Sequence, residues 1–270
     1  MIDTVLYEST DGVALITLNR PKMMNAMNNE LMGSLSSALN QVVKDESVRV
    51  VVITGNGRGF CAGADLAAVA APEAADAAER RDDNASSDGE TDVFNTAMRA
   101  LQNCPVPTIA RINGPAAGGG FGLALACDIT IAVESAFFVA TFGPRLGIVP
   151  DMGATWNIPR RVGRARALGI TLLGDRITAK EAADWGLIWS AVANDEIDNE
   201  IAKIVTTLKN SSPSTMTRIR QTIDAATDNS FSDQLDLEMK HQAKLIPRNM
   251  RTGAIAFMNK TDPVFSNERD

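Results

Sequence analysis

The sequence predicts an α/β fold in which a strand-rich core of repeated ββα units precedes a helical C-terminal region. A short β-branched strand, a glycine-rich turn and a helix follow one another twice, around 55–66 and around 113–127. From residue 196 onwards only helical patterns occur. We therefore expect a core over residues 1–195 and a helical region over residues 196–270.

The first elements of the core are a hairpin, a helix and a buried strand. Two β-rich runs, Val5–Tyr7 and Val13–Leu18, flank the turn dipeptide Asp11-Gly12. Apolar residues then recur at helical spacing between Asn28 and Lys44, with an asparagine as candidate N-cap. The apolar run VRVVVIT at 48–54 is typical of a strand buried on both faces.

The middle of the chain alternates strands and helices. Strands are predicted over Thr108–Ile112 and Ile129–Val133, with a helix starting near Phe121 between them. Thr178 and Glu181 form the pattern of a capping box. The segment 67–92 is rich in Ala, Asp, Glu and Ser. It predicts a helix and a mobile loop that could serve as a lid, with a variable surface segment as the alternative.

The bulk composition excludes several classes of partner. The 270 residues carry a formal charge of −7 and no dense Lys/Arg run, which argues against nucleic acid but leaves room for one anionic small molecule. No apolar run approaches the roughly 20 residues that span a bilayer. Three cysteines without CxxC spacing, and the lack of a signal-peptide pattern, predict free thiols and a cytoplasmic protein. No cluster has metal-ligand spacing, so no metal is expected.

The glycine triplet Gly118–Gly120 lies between a predicted strand and a predicted helix. The start of a helix offers unpaired N–H groups and a positive partial charge, and glycine lets a ligand approach the backbone. A phosphate cradle, an oxyanion hole and a packing turn are all compatible with this triplet.

Several sequence blocks occur in a fixed order along the chain. They are NRPK at 19–22, NAM at 25–27, GFCAGADL at 59–66, NG at 113–114, GGG at 118–120, ACDI at 126–129, LGIVPDMG at 146–153, RVGR at 161–164 and AADWGL at 182–187. This set resembles the crotonase superfamily, the enoyl-CoA hydratase/isomerase proteins, from about Val5 to about Phe265. Within the superfamily it is most similar to the enoyl-CoA isomerase type.

The resemblance implies the crotonase (ClpP-like) spiral of ββα units and an assembly of trimers or dimers of trimers. In such an assembly the C-terminal helices serve trimerisation and cover the CoA site. It also implies an acyl-CoA substrate, whose coenzyme A makes a separate cofactor unnecessary. By position in the motifs, the two backbone N–H donors of the oxyanion hole are expected to be Ala62 and Gly119.

The resemblance also implies a path for the CoA moiety. The residues expected along it are Lys22, Ala26, Ala64, Asp65, Leu66, Phe257 and Lys260. The last two would reach CoA from the C-terminal region or from a neighbouring subunit. For both lysines, a solvated surface position is the alternative.

The chain departs from the hydratase pattern where that pattern has its two glutamates. The corresponding positions are Gly122 and Gly143, and neither can titrate. One acid, Asp151, stands where isomerases of the family often carry theirs. A single carboxylate can move a proton from C2 to C4 of an enoyl chain, and burial would raise its pKa to a useful value. The alternative for Asp151 is a helix N-cap.

Two other residues have side chains that can take part in catalysis. The single histidine, His241, lies in the helical tail, where a solvated or structural role is expected. Its position also argues against the aroyl-CoA dehalogenase branch, which needs a histidine earlier in the chain. Cys61 lies beside Ala62 without a base nearby in sequence, so packing is expected.

The leading functional hypothesis is an enoyl-CoA isomerase that shifts a double bond between C3–C4 and C2–C3 through a dienolate. The alternatives are an isomerase that opens a ring-epoxide CoA, a hydratase that relies on Asp151 alone, and a degenerate paralogue that binds acyl-CoA without chemistry.

Overall fold

The computed structural model describes residues 3–70 and 92–269. The predicted hairpin is confirmed as β1 (Val5–Thr10) and β2 (Val13–Leu18), which pair antiparallel. Alternate residues of β2 are buried, as a half-buried strand requires. The predicted lid lies mostly outside the described residues, which resume at residue 92.

The hairpin forms the edge of a six-stranded sheet with the order β1-β2-β3-β4-β6-β9. From β2 onwards all neighbours are parallel. The further strands are β3 (Val50–Gly55), β4 (Thr108–Ile112), β6 (Ile129–Val133) and β9 (Ser190–Val192). All six residues of β3 are buried, which confirms the expectation from its unbroken apolar run.

A second sheet has three short strands in the order β5-β7-β8. These strands are β5 (Ala116–Ala117), β7 (Phe137–Val139) and β8 (Ile177–Thr178). Strands β4 and β6 of the large sheet each lead into a short strand of the small sheet and then into a helix. The segment that follows β3 also reaches the small sheet, because Cys61 forms an isolated bridge with Ala116 of β5. The repeated ββα units and the α/β fold class are thereby confirmed.

Six helices accompany the strands of the core in the described residues. They are α1 (Asn29–Lys44), α2 (Leu66–Val69), α3 (Val93–Gln102), α4 (Gly119–Ala126), α5 (Ala154–Leu173) and α6 (Ala179–Asp184). Asn28 caps α1 by accepting from the Leu31 N–H at 2.9 Å, and Thr178 with Glu181 forms the predicted capping box.

Helix α4 is the most deeply placed of these helices. Every residue from Gly119 to Leu125 is buried, and the helix is apolar on all sides. It packs against α5 and the large sheet. Consequently its N-terminus, with its unpaired N–H groups, lies inside the core and not in bulk solvent.

The C-terminal region is helical, as predicted. Its helices are α7 (Ile197–Lys209), α8 (Pro213–Ala225), α9 (Phe231–Leu245) and α10 (Arg251–Asn259). Ile197 and Ile201 bury α7 against the core, and the α8 guanidinium of Arg220 donates to Asp128 at 3.1 Å. His241 is buried and forms a 2.8 Å hydrogen bond with Thr222, which agrees with a structural role.

Helices α9 and α10 leave large apolar side chains in solvent. The most exposed are Phe231, Met239, Phe257 and Met258, all at least 66% exposed. Within residues 3–70 and 92–269, no helix is both long enough and apolar enough to cross a membrane.

A buried ion pair fixes the loop after β2 to the start of α2. The Arg20 guanidinium donates to Asp65 at 2.8 Å and to the Ala26 carbonyl at 2.5 Å. The Asp65 carboxylate also caps α2. The hydrogen bond from Arg20 holds the pKa of Asp65 below its ordinary value. The pair therefore joins two of the sequence blocks, NRPK and GADL.

We expect Asp65→Asn to lower the free energy of unfolding by about 2–4 kcal/mol at pH 7, because it leaves the Arg20 charge partly buried without its partner. Chemical denaturation at pH 7 measures this. Asp184→Asn, which breaks an exposed pair with Lys180, is the control and should change stability by less than about 0.5 kcal/mol.

The Asp65 contribution also depends on pH. Since its folded pKa is lowered, the contribution is present above the unfolded value of about 3.9 and disappears as the pH falls through the folded pKa. Equal stabilities of the Asp65 and Asp184 variants at pH 7 would contradict this role.

Candidate active site

The segment after β3 is held between two other pieces of backbone. On one side the Met27 N–H donates to the Gly63 carbonyl at 2.7 Å, and the Asp65 N–H donates to the Met27 carbonyl at 2.9 Å. These two bonds form a parallel bridge between Met27 and Ala64. In such a bridge the central residue turns its own N–H to the opposite side. The Ala64 N–H has no acceptor among the described residues.

The N-terminus of α4 lies directly opposite this segment. A Cβ placed on Gly63 would lie 3.3 Å from the Gly119 nitrogen, and one placed on Gly120 would lie 2.4 Å from the Cys61 carbonyl oxygen. Only glycine permits this approach. The Gly119 N–H belongs to the first turn of α4, where no intrahelical acceptor exists. The fold thus brings two unpaired N–H groups, of Ala64 and Gly119, to the same place.

The prediction that Ala62 supplies one donor is wrong. The Ala62 N–H donates to the Met24 carbonyl at 2.9 Å, so it is occupied within the fold. In a regular strand the N–H groups of residues 62 and 64 would face the same side, but Gly63 has a φ of 91° and interrupts this alternation, and the unpaired N–H is that of Ala64. Sequence position alone could not show which N–H of the CAGA stretch faces the helix.

The buried side chain of Asn25 organises this segment and was not predicted as a site residue. Its amide nitrogen donates to the carbonyls of Gly59 at 2.9 Å and Phe60 at 3.1 Å. Its amide oxygen accepts from the Arg20 N–H at 2.9 Å. Met24 and Asn25 both have left-handed backbones, with φ of 48° and 56°. An asparagine between the apolar residues Met24 and Ala26 was the available sequence signal.

Asp151 lies beside the donor at the start of α4. Its Oδ1 is 3.7 Å from the position that a Cβ on Gly119 would occupy. The carboxyl keeps contact with solvent, but partial desolvation raises its pKa, and the charge of Asp92 raises it further. A hydrogen bond from its own backbone opposes this shift. The structure therefore brings Asp151 and Gly119 together.

The alternative role for Asp151, a helix N-cap, is not observed. The N-cap of α5 is Gly153, and no side chain caps that helix. The Asp151 side chain is therefore not engaged in helix capping.

The two positions that carry glutamates in the hydratase pattern differ in the space around them. A Cβ on Gly122 would lie 2.7 Å from the Met152 Cβ and 2.8 Å from the Met152 carbonyl oxygen. A Cβ on Gly143 would meet only the Thr171 carbonyl oxygen, at 3.3 Å. No side chain fits at Gly122 unless the backbone moves.

The predicted CoA residues near the N-terminus divide into two groups. Lys22, Ala64 and Leu66 are exposed and available to a ligand. Ala26 is buried, and its carbonyl accepts from Arg20. Asp65 is also buried, with its carboxylate on Arg20 and its N–H on Met27, so it is committed to the fold.

The two predicted CoA residues of the C-terminal region lie among the C-terminal helices and not beside the donor pair. Phe257 is 86% exposed and lines a groove between α8, α9 and α10. Lys260 follows α10 with a left-handed backbone, φ 54°. Neither Ala64, Gly119 nor Asp151 lines that groove. This groove is therefore not shared by the two groups of predicted CoA residues.

The cysteines are not candidates for nucleophilic catalysis. All three are buried, and burial raises the pKa of the Cys61 thiol to about 12. Its Sγ donates to the Asn25 carbonyl at 3.1 Å. A buried, protonated thiol agrees with the packing role expected for Cys61.

One cavity in the described residues is separate from the donor pair. It has a volume of about 540 Å³ and lies between α5, α8 and the C-terminal end of α4. Trp156 and Arg160, which stack at 3.9 Å, lie in its wall together with Asp224. Neither Gly119 nor Asp151 lines it.

Known proteins are similar to this chain over nearly its whole length. The family model for enoyl-CoA hydratase/isomerase matches residues 8–268. A 1,2-epoxyphenylacetyl-CoA isomerase of Escherichia coli K12 is 38% identical, covering 98% of this chain and 99% of the relative. A protein of Rhodobacter capsulatus named as a probable enoyl-CoA hydratase is 36% identical, covering 97% and 98%.

A solved structure shows the same fold. The enoyl-CoA hydratase from Polaromonas sp. JS666 superposes with a TM-score of 0.86 at 30% identity, covering 97% of this chain and 99% of that chain. The chain belongs to the enoyl-CoA hydratase/isomerase, or crotonase, family. It is an enzyme of that family with an acyl-CoA substrate and chemistry of the hydratase/isomerase type.

We expect Asp151→Asn to stabilise the protein at pH 7. Because the folded pKa of the Asp151 carboxyl is raised, ionisation costs folding free energy above that pKa, and an uncharged amide avoids the cost. The difference should vanish as the pH falls below the ordinary value of about 3.9. Thermal denaturation at several pH values measures this difference. A lower Tm of the variant at pH 7 would contradict a raised pKa of the Asp151 carboxyl.

Proposed function

We propose that the enzyme is an enoyl-CoA isomerase that moves a double bond between C3–C4 and C2–C3 of an acyl-CoA. One observation carries this proposal. The Asp151 carboxylate lies beside the α4 N-terminus, while glycines stand at both positions where hydratases have glutamates. The chemistry that needs only one carboxylate is proton transfer.

The thioester oxygen would accept hydrogen bonds from the Ala64 and Gly119 N–H groups. When a proton leaves C2, negative charge moves onto this oxygen. Preorganised donors stabilise that charge more than they stabilise the neutral thioester, and each is worth about 3–4 kcal/mol in comparable sites. The α4 dipole adds to the effect at Gly119.

Asp151 would carry the proton. From a 3-enoyl thioester its carboxylate removes a proton at C2, and the electrons form a dienolate that ends on the thioester oxygen. The protonated Asp151 then returns the same proton to C4, and the double bond moves to C2–C3. No atom is gained or lost. The raised pKa makes the carboxylate a stronger base for the first step and holds the proton on Asp151 until C4 accepts it.

Hydration is the less supported reaction of the family. It needs a water molecule that is held and activated, which the hydratase pattern achieves with two glutamates. Neither Gly122 nor Gly143 can do this, and Asp151 alone would be expected to hydrate slowly. Several relatives are named as probable hydratases, but that name describes those proteins.

A second candidate is isomerisation of a ring-epoxide CoA to a ring ether. The observation in its favour is the E. coli relative, whose printed name is 1,2-epoxyphenylacetyl-CoA isomerase. The same donor pair could hold the thioester of such a substrate, with Asp151 as its acid and base. Turnover of either substrate would argue against a degenerate paralogue.

The assembly we propose is a homotrimer or a dimer of trimers, built by the helical region 196–270. Phe257 and Met258 are 86% and 74% exposed, and exposed apolar patches of this kind mark interfaces. In the trimer, Phe257 and Lys260 of one subunit would approach the CoA bound by Lys22 and Leu66 of another.

We expect Asp151→Ala to lower isomerisation of 3-enoyl-CoA by several orders of magnitude, because it removes the proton carrier. Affinity for CoA should stay the same. Absorbance of the conjugated thioester measures the first quantity, and calorimetry with CoA measures the second. Asp175→Ala, at an exposed acid after α5, serves as the control. Turnover of Asp151→Ala at the wild-type rate would contradict the assignment.

We expect the native mass to be three or six times the 28.8 kDa of one chain. We also expect Lys260→Ala to raise the KM for acyl-CoA about tenfold with little change in kcat, since uniform binding is lost. Sedimentation and steady-state kinetics measure these quantities. Lys240→Ala, at another exposed lysine of the tail, is the control. A fully active monomer would contradict the proposed assembly.

A further inference from the structure

Met152 lies across the first turn of α4, against the face that carries Gly119 and Gly122. A Cβ on Gly122 would lie 2.7 Å from the Met152 Cβ and 2.8 Å from its carbonyl oxygen. The nearest atom of Asp151, its carbonyl oxygen, would be 3.2 Å away. Backbone atoms cannot move aside as the end of a side chain can. The loop at Met152 therefore fills the volume that a side chain at position 122 would need.

The backbone at Met152 has an unusual conformation. Its φ is 53°, and that of Gly153 is 73°, so two consecutive residues are left-handed. This conformation is unfavourable for a residue with a side chain, and methionine is a rare choice for it. Met152 is nevertheless 95% buried. Strain at a buried residue beside a reactive carboxylate is an observation that points to function.

The Met152 side chain covers the donor as well. Its Cγ is 3.1 Å from the position of a Cβ on Gly119, and the Met27 Cε is 2.4 Å from the same point. Both methionines are buried. Two thioether side chains thus enclose one flank of the Gly119 donor. Such a surface gives a water molecule few hydrogen-bond partners, and a bound water needs two to four.

We propose that Met152 is the specificity-determining residue that favours proton transfer over water addition. Hydration places the oxygen of water on C3 and a proton on C2, which requires a held water. Isomerisation requires only the proton that Asp151 carries. Met152 removes the space for a second carboxylate with its backbone and the space for a water with its side chain. This inference rests on the proposed isomerase function.

The test compares Met152→Ala and Met152→Asn with Met152→Leu, which keeps most of the apolar volume. Asparagine adopts the left-handed conformation more easily than alanine, so it protects the fold. Each protein is incubated with 3-enoyl-CoA and 2-enoyl-CoA in ¹⁸O-labelled water. Mass spectrometry then quantifies the hydrated product, which carries ¹⁸O, and absorbance of the conjugated thioester quantifies isomerisation, because the two enoyl isomers have the same mass.

We expect the ratio of hydrated to isomerised product to rise at least roughly tenfold in the alanine and asparagine variants and to stay at the wild-type value in the leucine variant. An unchanged ratio in a folded alanine or asparagine variant that still isomerises would overturn the proposal. If the wild-type enzyme does not isomerise 3-enoyl-CoA, the proposed function fails instead, and the two failures are distinct.

A second measurement tests the steric claim without any activity. Gly122→Glu should unfold the protein or lower its Tm well below that of Gly143→Glu, because only the first clashes with the Met152 backbone. Equal Tm values for these two variants would overturn the claim that Met152 fills the second carboxylate position.

Discussion

The site depends on the close approach of two backbone segments, the strand-like stretch after β3 and the first turn of α4. Gly63 and Gly120 make this approach possible, since a Cβ on either would collide with a carbonyl oxygen of the other segment. The bridge from Met27 to Ala64 then turns one N–H towards the helix. Both donors are backbone groups of segments held in place by hydrogen bonds of the fold, so they are already oriented before a substrate arrives, which is the condition for stabilising a developing charge.

The chemistry follows from what surrounds this donor pair. Asp151 is the carboxylate beside Gly119, and desolvation moves its pKa in the direction that a proton carrier needs. The loop that presents Asp151 also places Met152 against Gly122. In the proposed mechanism one loop thus supplies the proton carrier and also fills the volume that a second acid would need. In the same loop Met152 has a left-handed backbone. This conformation lowers the stability of the fold, and in the proposed mechanism it serves function.

Long periodic or β-branched segments made most of the fold predictable. The strands over Thr108–Ile112 and Ile129–Val133 and the helix from Asn29 to Lys44 match their predicted places. Strands of two or three residues, such as Ala116–Ala117, carry no period and could not be found. At the site, the sequence indicates the types of residue but not the directions in which their backbone N–H groups point. The motif positions predict Asp151 and Gly119, which the structure brings together, but they also predict Ala62 as a donor, because only the pairing with Met27 decides which N–H is unpaired.

The central claim is that Ala64 and Gly119 hold the thioester oxygen beside Asp151. A crystal structure with an unreactive acyl-CoA analogue tests it most directly. The account predicts the thioester oxygen about 3 Å from both nitrogens, an Asp151 carboxyl oxygen facing C2 and C4, and the Ala62 N–H still bonded to Met24. A thioester oxygen that accepts from Ala62, or an acyl chain that does not pass Asp151, would contradict it.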